Sequence, residues 1–314
     1  MLLAGAVLGG ACSTGEDLVT IPGEAYAAGR VYLDLDGNRE RGGPDQALPG
    51  VTVYLALTGT LDTLGRVTSD ANGDFAFGAL PVGRYTVVVP DATVFGDSLQ
   101  VVRIDTAYLS LGVNDTSDVN VVVSFPSFTA AEARSIPLAE KIFIEGVALN
   151  GSPTFGDSTV HLRDSTGSIR ITGAWGPQVA VGDSVRFLGR VGGLNGQRVI
   201  RDGQAIILEF GGDPTPVRVT TGDAAIAGGG TLDAELVLVV DGTIGSDTVT
   251  VAGDYQFSVD DGTGPILVVL DFHAGLTKAP FIPGAVIDAT GVLVPDGTGA
   301  WRLKPRTNVD LDVK

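Results

Sequence analysis

The sequence predicts an all-β protein, an N-terminal β-sandwich followed by two small β-barrels. Three observations predict it. Short runs of β-branched and aromatic residues, bounded by Gly, Pro and Asn, recur along the chain. The first hundred or so residues contain no window with a sustained helical apolar period. The C-terminal part repeats its own order of strand and turn signals. A length of 314 residues suits roughly two or three domains, and 44% hydrophobic residues can fill their cores.

In the first module, strand signals fall at 51–57 (VTVYLAL), 74–80 (DFAFGAL) and 84–89 (RYTVVV). Between them lie Pro49-Gly50, Asn72-Gly73 and Pro81-Val82-Gly83, which are turn chemistry. Asn72-Gly73 reads as a two-residue hairpin, because both residues tolerate positive φ. The pattern is that of an antiparallel sandwich. Next comes a short helix over Ala130–Arg134, with Thr129 as cap, Glu132 three residues on, and Pro137 as terminator.

The repeat relates 142–210 to 236–313. Ile144-Glu145-Gly146-Val147 matches Val240-Asp241-Gly242-Thr243, and Asp164-Ser165-Thr166-Gly167 matches Asp261-Gly262-Thr263-Gly264. Gly182 and Gly189 stand as far apart as Gly284 and Gly291. Gly196-Gln197-Arg198 matches Gly299-Ala300-Trp301. Each copy reads as about five strands with Gly at the corners, which suits a small closed barrel.

Charge shifts where these modules meet. Residues 1–127 carry 6 Arg, no Lys and 15 acids; residues 128–220 carry 9 bases and 9 acids; residues 221–314 carry 5 bases and 13 acids. The formal net charge of −17 repels polyanions, so the middle segment is the candidate face for an anion. One Cys and 2 His exclude a disulfide framework, a cysteine zinc site and multi-histidine mechanisms. No apolar run reaches the roughly 18 residues of a spanning helix.

Two resemblances refine the division. GRVYLDLDGNRERGGPDQALPGVTVYL with TSDANGDFAFGALPVGRYTVVV resembles the SdrD B-like and Cna-B-like surface repeats, which are transthyretin-like sandwiches. The resemblance covers about 29–90 and implies a Ca²⁺ loop, for which Asp34, Asp36 and Asn38 have the i, i+2, i+4 spacing and Asp45 stands for a later acid. The family's middle acid falls at about Gly42, and turn chemistry is the plainer reading of the same residues. The isopeptide bond of some members is excluded, because no Lys precedes Lys141. Residues 128–314 resemble the OB-fold domains found beside secreted nucleases and in bacterial surface lipoproteins, through HLRDSTGSIRITG, VGDSVRFLGRVGGLNGQRVI and FSVDDGTGPILVVL.

The opening MLLAGAVLGGACSTGED resembles the end of a lipoprotein signal peptide, with Cys12 as the lipidated residue. It lacks a basic n-region, and Gly9 stands where Leu is usual. The expected division is a signal peptide at 1–11, a tether at 12–28, the SdrD B-like/Cna-B-like sandwich at 29–126, and OB-like domains at 127–220 and 221–314. The expected location is the cell envelope, facing out of the cytoplasm, with a lipid anchor at a membrane surface.

Strand alternation turns His161 and Arg163 away from Val160 and Leu162, Arg170 away from Ile169 and Ile171, and Arg186 and Arg190 away from Val185 and Phe187. These five side chains form a candidate ligand face, and Trp175 in GAWGPQ is a candidate for stacking on a sugar. A solvated barrel surface of mixed charge is the plain alternative. No G-x-S-x-G elbow occurs, and Asp260-Asp261 would diverge on a strand, so no catalytic set is assigned. The expected function is a non-enzymatic surface protein for binding, display or adhesion. Its alternatives are a nucleic-acid-binding accessory protein, taking single strands, and a carbohydrate binder. Ca²⁺ is the one expected cofactor, and a glycan, a surface protein or single-stranded nucleic acid the expected partner.

Overall fold

The computed structural model describes residues 24–60, 62–94, 98–246, 249–276 and 281–314. Cys12 and the segment read as a signal peptide lie outside the described residues. Among these residues no helix is long and apolar enough to cross a membrane. The chain is all-β, a sandwich followed by two closed OB-like barrels.

The sandwich contains β1 (Ala25–Asp34), β2 (Gln46–Ala47), β3 (Thr52–Leu57), β4 (Thr63–Thr68), β5 (Asp74–Leu80), β6 (Gly83–Val88), β7 (Gln100–Ile104), β8 (Tyr108–Leu111) and β9 (Thr116–Ser124). One sheet runs β2-β1-β9-β7, with β5 also on β1; the other runs β4-β3-β6-β8. The inward residues Val31, Val53, Leu55, Phe75, Phe77, Tyr85, Val87 and Val121 fill the space between them. Along β5 and β6 they alternate with more exposed neighbours, so each is a strand with one wet face, whereas β9 is buried on both faces from Val121 to Ser124.

Three expectations change here. β1 begins at Ala25, inside the segment read as tether. The sandwich is not wholly antiparallel, because β1 pairs in parallel with β9 from Tyr26↔Thr116 to Asp34↔Ser124. Asn72-Gly73 is not a hairpin: β4 belongs to one sheet and β5 to the other. The turn forms as its residues dictate, with Gly73 at φ +77° and Asp70 Oδ1 accepting from the Asn72 and Asp74 amides. It carries the chain between sheets, and Asp74 then pairs with Arg30.

The first barrel contains β10 (Ser127–Phe128), α1 (Ala130–Ala133), β11 (Lys141–Ala148), β12 (Val160–Asp164), β13 (Gly167–Trp175), β14 (Ser184–Leu194) and β15 (Gln197–Glu209). The order β11-β12-β13-β15-β14 closes through β11–β14, and β13–β15 is parallel. The second contains β16 (Val217–Arg218), α2 (Thr221–Ala225), β17 (Leu236–Ile244), β18 (Val249–Val251), β19 (Asp254–Asp260), β20 (Ile266–Leu270), β21 (Val286–Pro295), β22 (Trp301–Lys304) and β23 (Leu311–Val313). Its order β17-β19-β20-β22-β21 closes through β17–β21, again with a parallel pair, β20–β22. One connectivity used twice confirms the repeat. Gly291 marks why the corners need Gly: a Cβ there would sit 2.7 Å from the Lys304 backbone.

The repeated Asp-x-Thr-Gly turn has a specific task in both copies. Asp164 accepts from the Ala130 amide and Thr166 from the Ala131 amide. Asp261 accepts from the Thr221 amide and Thr263 from the Gly222 amide. Each turn therefore satisfies the first open N–H groups of the short helix before its barrel. Thr129 and Glu132 form the expected capping box. α2, capped by Thr220, is an element the sequence reading missed.

Burial pushes the Asp261 carboxyl up, but hydrogen bonds from Thr263 and Thr221 outweigh it and hold it at about 2. A depressed native value stabilises the fold above the unfolded carboxylate range, and that contribution disappears as pH falls toward the native value. Asp261→Ala is expected to destabilise by about 1 kcal/mol at neutral pH, as a lost cap does. The difference from wild type should shrink as pH falls toward 2 in urea titrations.

Candidate functional site

The metal-loop residues lie where β1 leaves the sandwich. Asp34, Asp36 and Asp45 bring carboxylate oxygens within 4.8 Å of one another. The loop folds this way because its own amides meet these acids: Asp34 accepts from Gly37 and Arg39, and Asp45 from Leu35 and Gly42. Asn38 is engaged differently, accepting from the Glu40 amide and donating to Asp36. Burial pushes the fully buried Asp34 carboxyl up, and Asp36 and Asp45 add to the rise against the loop amides. Converging hard oxygens of like charge fit a hard cation.

The loop also meets the first barrel. Arg186 donates to the Asp36 carbonyl at 2.7 Å and to Glu145 at 2.6 Å. Beneath this contact, Phe125, Phe143 and Leu188 form a buried cluster flanked by Leu33, Leu35 and Leu99. Arg190, on the same strand, donates to the Ala139 carbonyl.

The outward residues of β12 and β13 face the second barrel instead. Arg163 donates to Glu235 through Nε and Nη2, and Ser168 donates to the same carboxylate. Gln197 and Arg134 reach Asp233, and burial pushes that carboxyl up. Arg306 answers from the other side: it binds Asp213 and Asp310 and donates to the Leu149 carbonyl of the first barrel. Leu149 and Phe155 pack with Leu236, Val292 and Val294 around these pairs.

The alternation of His161, Arg163, Arg170, Arg186 and Arg190 is as expected, since Leu162, Ile169, Ile171 and Phe187 are core. The shared exposed face does not form. Arg186 lies against the sandwich, while His161, Arg163 and Arg170 lie against the second barrel. A side chain that points away from one barrel's core here points into the neighbouring module. His161 is fully buried, and Arg163 is half-buried. Trp175 ends β13 opposite Gln204. Trp301 is core. Missed by sequence reading were Asp213, Asp233, Glu235, Arg306 and Asp310. Their one visible signal was an acid pair just before the repeat's first strand.

No family model matches the sequence, and no curated protein matches it. Solved structures do. A murine DNA-binding protein bound to double-stranded DNA is 8% identical, covering 55% of this chain and 97% of its own, with a TM-score of 0.30. The tetrameric p202 HIN2 structure is 14% identical, covering 55% of this chain and 92% of its own, with a TM-score of 0.27. The Bacillus anthracis TIE protein is 11% identical, covering 91% of this chain and 49% of its own, with a TM-score of 0.26.

Proposed function

We propose that this chain is a non-enzymatic envelope protein that holds a stiff three-module body away from a membrane, with Cys12 as its lipid attachment point. The observation that supports this reading is the joining of the modules. The sandwich meets the first barrel through an apolar cluster and Arg186, and the first barrel meets the second through an apolar cluster, the Arg163–Glu235 ion pair and the Arg306 bond to the Leu149 carbonyl. Such interfaces suit a spacer better than beads on flexible linkers. Ca²⁺ bound by Asp34, Asp36 and Asp45 would stiffen the loop on which Arg186 rests. A single-strand groove on the candidate ligand face has less support, because four of its five side chains, Arg186, His161, Arg163 and Arg170, lie within the two interfaces.

The test is fractionation of cells of a lipoprotein-processing bacterium that express the full chain or Cys12→Ala. Wild type is expected in the membrane fraction and the variant in the soluble fraction. A soluble, unmodified wild type would remove the anchor from the proposal.

A further inference from the structure

Between the two barrels lies a cavity of about 180 Å³, lined by Phe155, His161 and Arg170 from one side and by Val294, Arg302 and Lys304 from the other. This is smaller than the ~300 Å³ at which drug-sized pockets begin, yet far larger than one water requires. Four buried side-chain polar atoms lack a hydrogen-bond partner among the described residues, and three of them belong to this cavity: His161 Nε2, Arg170 Nε and Arg302 Nε. Orphaned buried polar atoms are costly, and their presence around one cavity, contributed by two separate barrels, points to a ligand rather than to a packing fault.

The chemistry of the three atoms is legible. The His161 backbone amide donates to Asn150 Oδ1, which fixes that atom as oxygen, and Asn150 Nδ2 donates to the Gly151 and Thr159 carbonyls. His161 Nδ1 lies 2.8 Å from the same Oδ1, so it carries the ring proton. Nε2 is then an acceptor. Burial, followed by the charges of Arg170 and Lys304, pushes the ring well below its ordinary value and keeps it neutral.

The guanidinium groups are donors only. Their nearest carboxylates are Asp157, 3.8 Å from Arg170, and Asp296, 3.9 Å from Arg302, both beyond hydrogen-bond reach. The lining acids have other partners: Asp157 accepts from the Thr159 amide and Asp254 from the Phe272 amide. Lys304 is held by Asp271 at 2.5 Å, with its Nζ 4.2 Å from the centre of the Phe155 ring, and adds charge without needing the ligand. A fitting ligand must accept from two guanidinium groups and donate to one imidazole.

We propose that this cleft is a binding site for a protonated phosphate group, either inorganic hydrogen phosphate or the end of a phosphomonoester. Its oxygens accept from Arg170 and Arg302, and its hydroxyl donates to His161 Nε2. Sulfate at neutral pH and a carboxylate lack that hydroxyl. A sugar has hydroxyls but no charge to match the guanidinium groups. The site is independent of any membrane anchor.

The test is calorimetric titration of the full chain at about pH 6, where a phosphomonoester still keeps its proton on about half of the molecules, at fixed ionic strength, with inorganic phosphate, sulfate, acetate or glucose. A phosphomonoester, glycerol 2-phosphate, forms a further arm. Phosphate is expected to bind, with sulfate and acetate weaker by roughly tenfold or more, the worth of a charge-assisted hydrogen bond. Glycerol 2-phosphate binding more tightly than phosphate would assign the site to an ester; the reverse would assign it to the free ion. Arg302→Gln, on the more exposed of the two arginines, is expected to weaken phosphate by a similar factor while the far-UV spectrum stays unchanged. A second readout needs no variant: with only 2 His in the chain, the Nε2 nitrogen resonance of His161 is assignable and should shift with phosphate but not with sulfate. No phosphate binding, equal phosphate and sulfate binding, glucose binding in phosphate's place, an unmoved His161 resonance or an indifferent Arg302→Gln would each overturn the proposal.

Discussion

Arg306→Ala is expected to be among the most destabilising single changes in the chain, by roughly 3–5 kcal/mol in urea or guanidinium denaturation. The Arg306 side chain is 5% exposed, and Asp310 beside it is 7% exposed. Burial opposes the charge of the guanidinium, but the hydrogen bonds it donates to Asp310 and Asp213 outweigh that and raise its value. Removing it leaves the Asp310 carboxylate buried without its partner, because Asp310 also accepts from the Arg306 and Thr307 amides and cannot swing out to water. The Leu149 carbonyl loses its donor at the same time. Since a domain's whole stability is about 5–15 kcal/mol, the variant should melt about 6–20 °C early or fail to accumulate. The double variant Arg306→Ala, Asp310→Ala is expected to lose clearly less than the two single losses added together, because the orphaned charge is gone. Additivity would mean that the pair is not coupled as its geometry requires.

Glu235→Ala is expected to cost a comparable amount, about 3–5 kcal/mol, and to change the shape of the unfolding curve. Glu235 is buried at the start of β17 and accepts from Arg163, Ser168 and the Leu236 amide. Its loss leaves two donors of the first barrel without their acceptor at the junction. The two barrels, which should unfold together in wild type, are expected to separate into two transitions when followed by calorimetry. A single transition merely shifted downward would place Glu235 in the stability of one barrel and not in the coupling of both.

These two residues show where sequence reading stops. Alternation correctly placed Val160, Leu162, Ile169, Ile171 and Phe187 in a core, because inward apolar residues recur every second position whatever lies outside. The Thr129–Glu132 cap and the repeat were legible because they are local patterns or self-comparisons. Arg163 and Arg186 were legible as outward but not as covered. A polar side chain leaving a barrel looks the same in sequence whether water or another module lies beyond it. The parallel pairing of β1 with β9 joins residues some ninety positions apart, and no local signal encodes that closure. Asp34 and Asp36 converge with Asp45, the residue that the surface-repeat resemblance implied, whereas Asn38, which shared their spacing, turned to serve the loop itself. The cavity at His161, Arg170 and Arg302 needs both barrels, so it is visible only once their docking is known.

The joining of the modules is best tested by small-angle X-ray scattering of the full chain in dilute solution. A single arrangement of sandwich and barrels should reproduce the curve, with a Kratky plot that returns to baseline. A plateau in that plot, with a distance distribution that only an ensemble of independently moving modules can fit, would contradict it.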